Sequence, residues 1–470
     1  MQNLHSRYNP VGEAERFLDS LDLKTGIRFF ILIEPGMGYL SACLRKRNPN
    51  ARIIALYAQM PPPSSLNENE PDTFWYPGLA IGLRSYLEQE IPDIEAYKIK
   101  IIEWRPALAA YGEAYRYLLS ETADFIKHCD ASARTQNRFG RKWLKNFFRN
   151  LLLLSDIIDP GICTIPFLIT GAGPGLEQTI PLIINERKKI FLLAVSSSAA
   201  SLREAGIVPD LVLSTDGTGW ALLHLYECFR RNSLINSFAA SLTAAIPSQC
   251  TNAPLLIISD NSLWQNLLLK ELRIPYVALP QRGTVTATAL DLALALTNDR
   301  VFFTGMDLAQ KDIQSHARPY SFDRLWEEKA GRFNPVYSQV FNRSESMRKG
   351  NTHAIYASWF SRQLSSYPKR LFSLGANNQV FKTLETSGAG IIPDTIHYRR
   401  PLFNHFLFRF DGNPALHTAG ILKNALTSPI YGRELCNELS SLLFPDQSPS
   451  VEELGDAIFS LNSALWKNDG

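Results

Sequence analysis

Between residues 164 and 305 short apolar runs alternate with helical patterns at the rhythm of βαβ units, and this rhythm constrains the fold more than any other feature of the 470-residue chain. The strand candidates are TIPFLIT (164–170), IFLLAV (190–195), DLVLST (210–215), PLLIIS (254–259), YVAL (276–279) and RVFFTG (300–305). They predict an α/β domain with a central Rossmann-like parallel sheet of four or more strands. A smaller unit of the same kind precedes it, with IRFFILI (27–33), a turn and helix, then RIIALYAQ (52–59). Gly36 and Gly38 in that turn supply part of a GxGxxG fingerprint, but the third glycine and the acid closing the second strand are missing. The turn reads either as structural or as a degenerate site. Apolar spacings of three and four through 103–155 predict helices. The basic face formed by Arg138, Arg141, Lys142, Lys145 and Arg149 reads as solvated, or as a surface for an acidic partner or a membrane. Asp159-Pro160-Gly161 is expected to break the helix, and after 396 the strand signal gives way to helical patterns. The expected organisation is 1–102 N-terminal α/β, 103–160 helical connector, 161–395 central sheet domain and 396–470 C-terminal helical domain.

Composition narrows the function. Lys and Arg number 48 against 45 Asp and Glu, and a net charge of +3 gives no excess with which to hold a polyanion, so no nucleic-acid partner is expected. The six cysteines are scattered without a CxxC pair, so neither a disulfide framework nor a zinc knuckle is predicted from them. The N-terminus has no apolar leader core, and no run approaches the roughly 20 apolar residues that cross a bilayer. The expectation is a cytoplasmic protein with no membrane insertion.

In open α/β sheets ligands bind beyond the carboxyl ends of the strands. The first central strand runs into Gly171-Ala172-Gly173-Pro174-Gly175 and then directly into a helix, a turn whose amides can face a phosphate. The next strands end at Ser196-Ser197-Ser198, hydroxyls for a sugar or base or simple caps, and at Asp216-Gly217, a carboxylate for ribose hydroxyls or a metal. Gly283 and Thr284, with Thr288 a turn later, open another helix and offer a second anion-competent end. The last strand gives Gly305 and Asp307, followed by Asp312 and His316. An aspartate at a strand end and a histidine nine residues later suit an acid-base pair. His224 reads as a packing residue, His353 as a cap, and Tyr356, Trp359 and Phe360 as core.

The runs FLITGAGPGLEQTIPLI, AVSSSAASLREAGIVPDLVLSTD and GTVTATALDLALAL, with VFFTGMDLA and SHA, resemble the central domain of the motility-associated factor (Maf) family over roughly residues 130–395. Members are flagellin glycosyltransferases, with a sialyltransferase-like central domain. The resemblance implies transfer of a nonulosonic acid, of pseudaminic or legionaminic type, from a CMP-activated donor to Ser or Thr of flagellin, in service of motility and without a metal or a cofactor beyond the CMP-sugar. Its motifs fall on Gly171, Gly173, Pro174, Asp216, Gly283, Thr284, Thr288, Gly305, Asp307 and His316. Taken with the strand-end residues read above, the expected donor contacts are Gly171, Ala172, Gly173, Gly175, Ser197, Asp216, Gly217, Gly283, Thr284, Thr288 and Gly305, with His316 and Asp307 as the expected catalytic residues. The same domain family includes 6-hydroxymethylpterin diphosphokinases, which use ATP and magnesium; a third reading is a flagellin-binding protein without catalysis. Two departures stand out: Gly175 where a serine is usual, and Ser387 where a glutamate is usual. Residues 317–350 are expected to form the loops that select the donor.

Overall fold

Strands made of consecutive apolar residues need both faces covered, as helices cover a parallel sheet, and the chain builds two sheets that are parallel but for one edge strand. A computed structural model describes residues 4–21, 23, 27–61, 71–91, 98–229, 236–248, 253–307, 314–349, 356, 359–360, 363, 367, 369–374, 403–410, 413–445, 447 and 449–466. The chain divides into two compact units, 1–138 and 139–470, with the division falling inside a helix.

Unit 1 contains α1 (Pro10–Asp19), β1 (Phe29–Ile33), α2 (Tyr39–Arg47), β2 (Arg52–Leu56), β3 (Thr73–Trp75), α3 (Leu83–Glu90), β4 (Ile99–Glu103) and most of α4 (Pro106–Leu152). Its strands are all parallel, in the order β3-β2-β1-β4. Every residue of β1 is buried, as the unbroken run FFILI requires. Gly112 interrupts the helical path of α4 with φ 47° and ψ −108°.

Unit 2 continues with β5 (Asp156–Pro160), β6 (Phe167–Thr170), α5 (Leu176–Glu186), β7 (Phe191–Val195), α6 (Ala199–Glu204), β8 (Leu211–Ser214), α7 (Ala221–Phe229), β9 (Phe238–Ser241), β10 (Leu255–Ser259), α8 (Leu263–Glu271), β11 (Val277–Ala278) and α9 (Val285–Leu296). There follow β12 (Val301–Thr304), α10 (Asp323–Glu328), α11 (Val336–Lys349), β13 (Leu371–Ser373), β14 (Phe403–Leu407), α12 (Pro414–Leu426), α13 (Gly432–Leu443) and α14 (Val451–Trp466). The sheet order is β13-β12-β6-β7-β8-β9-β10-β5-β14, with β11 beside β10; β14 alone is antiparallel. Helix α9 covers β6, β7, β8 and β12, and its buried alanines, Ala287, Ala289 and Ala293, let it lie close to them.

Three local expectations change. Asp159 and Pro160 end strand β5 instead of merely breaking a helix, because β14 returns to pair with them. The run FNHFLFRF, expected within a helical region, supplies β14. Residues 317–350, expected as loops, contain α10 and α11. The C-terminal helices share one apolar core with α8 and the end of α4, in which Phe147, Trp264, Leu268, Leu422, Leu439 and Ile458 are buried together.

The chain adds β7 to β10 on one side of β6 and places β12 and β13 on the other. In open α/β sheets such a reversal is where ligands bind, and here the glycine loop and the Gly305-Met306-Asp307 turn lie at the carboxyl ends of β6 and β12 that flank it.

Candidate functional site

The two turns at this reversal are bound to each other. Gly171 N–H donates to the Thr304 carbonyl at 2.8 Å and Gly173 N–H to the Gly305 carbonyl at 2.7 Å. A Cβ on Gly171 would collide with the Gly305 carbonyl, and one on Gly305, whose φ is +64°, would collide with the Gly171 carbonyl. The glycines therefore serve close approach of two backbones. Gly175 N–H, at the start of α5, donates to the Asp307 carboxylate at 2.8 Å. This corrects the expectation of a loop whose amides stand open to a phosphate: the N–H groups of Gly171, Gly173 and Gly175 are all used within the chain. Asp307 is the anion at the α5 N-terminus, where the helix dipole favours one. Burial pushes its carboxyl above the ordinary aspartate range, and the Gly175 bond partly offsets that.

Gly175 now has a local reason. A Cβ there would strike the Asp307 carboxylate, so a serine at 175 and this position of Asp307 exclude one another.

His316 lies beside the same turns. Ala317 N–H donates to the Ala172 carbonyl at 2.8 Å, tying its loop to the glycine turn. Glu177, in the first turn of α5, accepts from Gln314 Nε2 at 2.6 Å and from Arg318 N–H at 2.8 Å. The ring of His316 stacks on Tyr320 with centroids 3.9 Å apart and planes 12° from parallel, and its Nδ1 is 2.9 Å from Ser315 Oγ. Asp307 was expected to orient His316, but its carboxylate accepts from Gly175 N–H, and the ring is met instead by the Ser315 hydroxyl and the face of Tyr320. The aromatic series continues from Tyr320 to Phe322, Trp326, His224 and the exposed Trp220.

The other sequence-predicted residues lie along the same edge of the sheet. Ser197 is half-buried beyond β7, between Ser196 and Ser198, and the Ser198 hydroxyl is consumed by Thr170 and the Val195 carbonyl. Asp216 is exposed beyond β8 and accepts from Thr218 N–H at 2.8 Å. Gly217 is buried against Trp143, and its carbonyl accepts from Asn146 Nδ2 at 3.2 Å. Thr284 caps α9, its Oγ1 accepting from Ala287 N–H at 3.0 Å; Thr288 Oγ–H donates to the Thr284 carbonyl, and Tyr356 O–H to that of Gly283. Gly171, Ala172, Gly173, Gly175, Gly305, Asp307 and His316 thus form one constellation, while Gly283, Thr284 and Thr288 are held by a separate set of bonds. Asp312, Ser387 and His353 lie outside the described residues. Sequence reading passed over Glu177, although an acid in the first turn of a helix is a recognisable signal, and over Tyr320, which only stacking geometry reveals.

Among the described residues no group of three or more His, Cys, Asp or Glu could hold a metal ion, and no helix is long and apolar enough to cross a membrane. A protein of Treponema pallidum (strain Nichols), described as uncharacterized, is 28% identical over 283 residues, which are 60% of this chain and 61% of that one. A solved structure described as a MAf glycosyltransferase from Magnetospirillum magneticum AMB-1 aligns with a TM-score of 0.46 and 13% identity, over 97% of this chain and 78% of the other. The family model described as "6-hydroxymethylpterin diphosphokinase MptE-like" matches residues 141–312, a stretch that holds the glycine turn, Asp216, Gly283 and the Gly305–Asp307 turn and ends four residues before His316.

Proposed function

We propose that the protein is a cytoplasmic glycosyltransferase that moves a nonulosonic acid from a CMP-activated donor to Ser or Thr hydroxyls of flagellin, with its active site at the carboxyl ends of β6 and β12. The observation that carries this reading is the stacked and bonded His316 beside the glycine turn at the point where strand order reverses. In the tautomer whose Nδ1–H donates to Ser315 Oγ, Nε2 is the basic nitrogen of His316. It takes the proton of the acceptor hydroxyl as the hydroxyl oxygen bonds to the anomeric carbon and the bond from that carbon to the phosphate oxygen breaks. CMP leaves with the electron pair. Its phosphate displaces the Asp307 carboxylate from Gly175 N–H, and the α5 dipole stabilises the developing charge. Ser197, Asp216 and Gly217 bind the ribose and base, and the α9 start at Gly283, Thr284 and Thr288 borders the donor. No metal or further cofactor takes part.

A general base contributes roughly 10²- to 10⁴-fold. His316→Ala is expected to lower turnover by about that factor while CMP affinity stays within about twofold. Transfer of sugar to flagellin at the parent rate would remove His316 from the mechanism. The description of the matched family model favours one rival, ATP- and magnesium-dependent diphosphorylation of 6-hydroxymethylpterin. Side-by-side assays with CMP-nonulosonate and flagellin, and with ATP, magnesium and the pterin, discriminate the two. Flagellin capture with neither reaction supports a binding protein.

A further inference from the structure

His316 stands between β12 and α10, outside any helix or strand, so its place is set by the bonds its loop makes to neighbouring elements. Three of those bonds end on the glycine turn and on the helix that it opens. Ala317 N–H reaches the Ala172 carbonyl, and one carboxylate oxygen, Glu177 Oε1, accepts from both Gln314 Nε2 at 2.6 Å and Arg318 N–H at 2.8 Å. Gln314 and Arg318 stand on opposite sides of His316 in the chain, so Glu177 grips the loop before and after the histidine. Gln314 Nε2 also donates to the His316 carbonyl at 3.0 Å, which carries the grip to the histidine's own backbone. Glu177 belongs to the first turn of α5, the helix whose opening residue, Gly175, donates to Asp307. An acid in that turn complements the helix dipole whatever else it does. The dipole asks only for negative charge near the helix end. It does not require one oxygen to meet two groups 137 and 141 positions further along the chain, and those two bonds are the mark of a second role.

We propose that Glu177 is a positioning residue for His316: it ties the loop of the base to the helix end that seats the donor phosphate, and so fixes the reach from Nε2 to the reacting centre. This rests on the transferase reading given above. A misplacement of about 1 Å can cost roughly 10²-fold in rate, so such a tether acts on turnover without touching substrate. Glutamine at 177 keeps the accepting oxygen and loses the charge, whereas alanine loses both, which separates the tether from the dipole. Glu177 is exposed, so neither change leaves a cavity in the core. The test follows the His316 ring by NMR in the full chain carrying isotope-labelled histidine, its signal being the one lost in His316→Ala, and measures transfer from CMP-nonulosonate to flagellin. Glu177→Ala is expected to displace the His316 signal and Glu177→Gln to leave it near the parent position. The expected fall in kcat is at least about tenfold in Glu177→Ala and about threefold in Glu177→Gln, with KM for the donor within about twofold in both. An unmoved signal in Glu177→Ala, equal displacement in both variants, as charge alone would give, or a loss that falls on KM would overturn the assignment. If the ring signal responds as expected but the parent chain transfers no sugar, Glu177 still positions His316 and it is the transferase reading that fails. Should Glu177→Ala not fold, Gln314→Ala, which removes one of the same bonds, decides: a displaced His316 signal supports the tether and an unmoved one overturns it.

Discussion

Asp307 occupies the amide that the proposed donor phosphate needs, so this one side chain sets a threshold for binding. Replacing it by asparagine removes the charge that competes with an incoming anion while keeping a group of the same size. Asp307→Asn is expected to tighten CMP binding by about fivefold, equivalent to about 1 kcal/mol, measured by calorimetry. Weaker binding would mean that the carboxylate helps to hold the nucleotide. At this scale the sequence was informative about place and less so about use. Gly171, Gly305 and Asp307 are recognisable as strand-end residues because the strands before them are apolar and short. That the turn amides are already bonded depends on a partner 132 positions away, which local pattern cannot supply.

Helix α8 shows how one element is secured by another. Its first N–H groups have no partners within the helix, and Glu438 of α13 accepts from Leu263 N–H at 3.0 Å and Trp264 N–H at 3.1 Å. Burial pushes the Glu438 carboxyl up to about 7, with Asp260 close enough to add to the effect. A carboxyl whose pKa is raised on folding favours the folded state most below its unfolded pKa, near 4.5, and that contribution is lost as pH rises to about 7. Glu438→Gln cannot ionise. Its stability relative to the parent is therefore expected to improve between pH 4.5 and 7, by on the order of 2 kcal/mol, and to level off above that, as followed by denaturant unfolding. A difference that does not change with pH would place the ionised carboxylate there at no cost. Two of the strands that sequence reading missed are short or interrupted: TFW in β3 is too brief to show a period, and Pro160 conceals β5. The long apolar runs of β1, β7 and β12 were legible because nothing in them competes with burial.

For the whole molecule, the division inside α4 has a practical consequence. The expected boundary near 160 follows from Pro160 and Gly161, yet the end of α4 and strand β5 belong to unit 2, where Leu144, Phe147, Phe148 and Leu151 enter its core. A chain beginning at residue 161 would remove those side chains and leave β14 without its partner. It is expected to be insoluble or to unfold without a cooperative transition, whereas a chain beginning at 139 should give a single sharp melt by calorimetry. A cooperative melt from the shorter chain would show that β5 and the end of α4 are dispensable.

Strands β5 and β14 adjoin although 249 residues separate Asp156 from His405. A ribosome therefore releases the first strand of the large sheet long before it makes that strand's antiparallel neighbour. During translation one margin of β5 remains an open template for any extended chain that meets it. Nascent copies on one polysome are the nearest such chains, so slowing elongation between these two strands should favour their entanglement over correct closure.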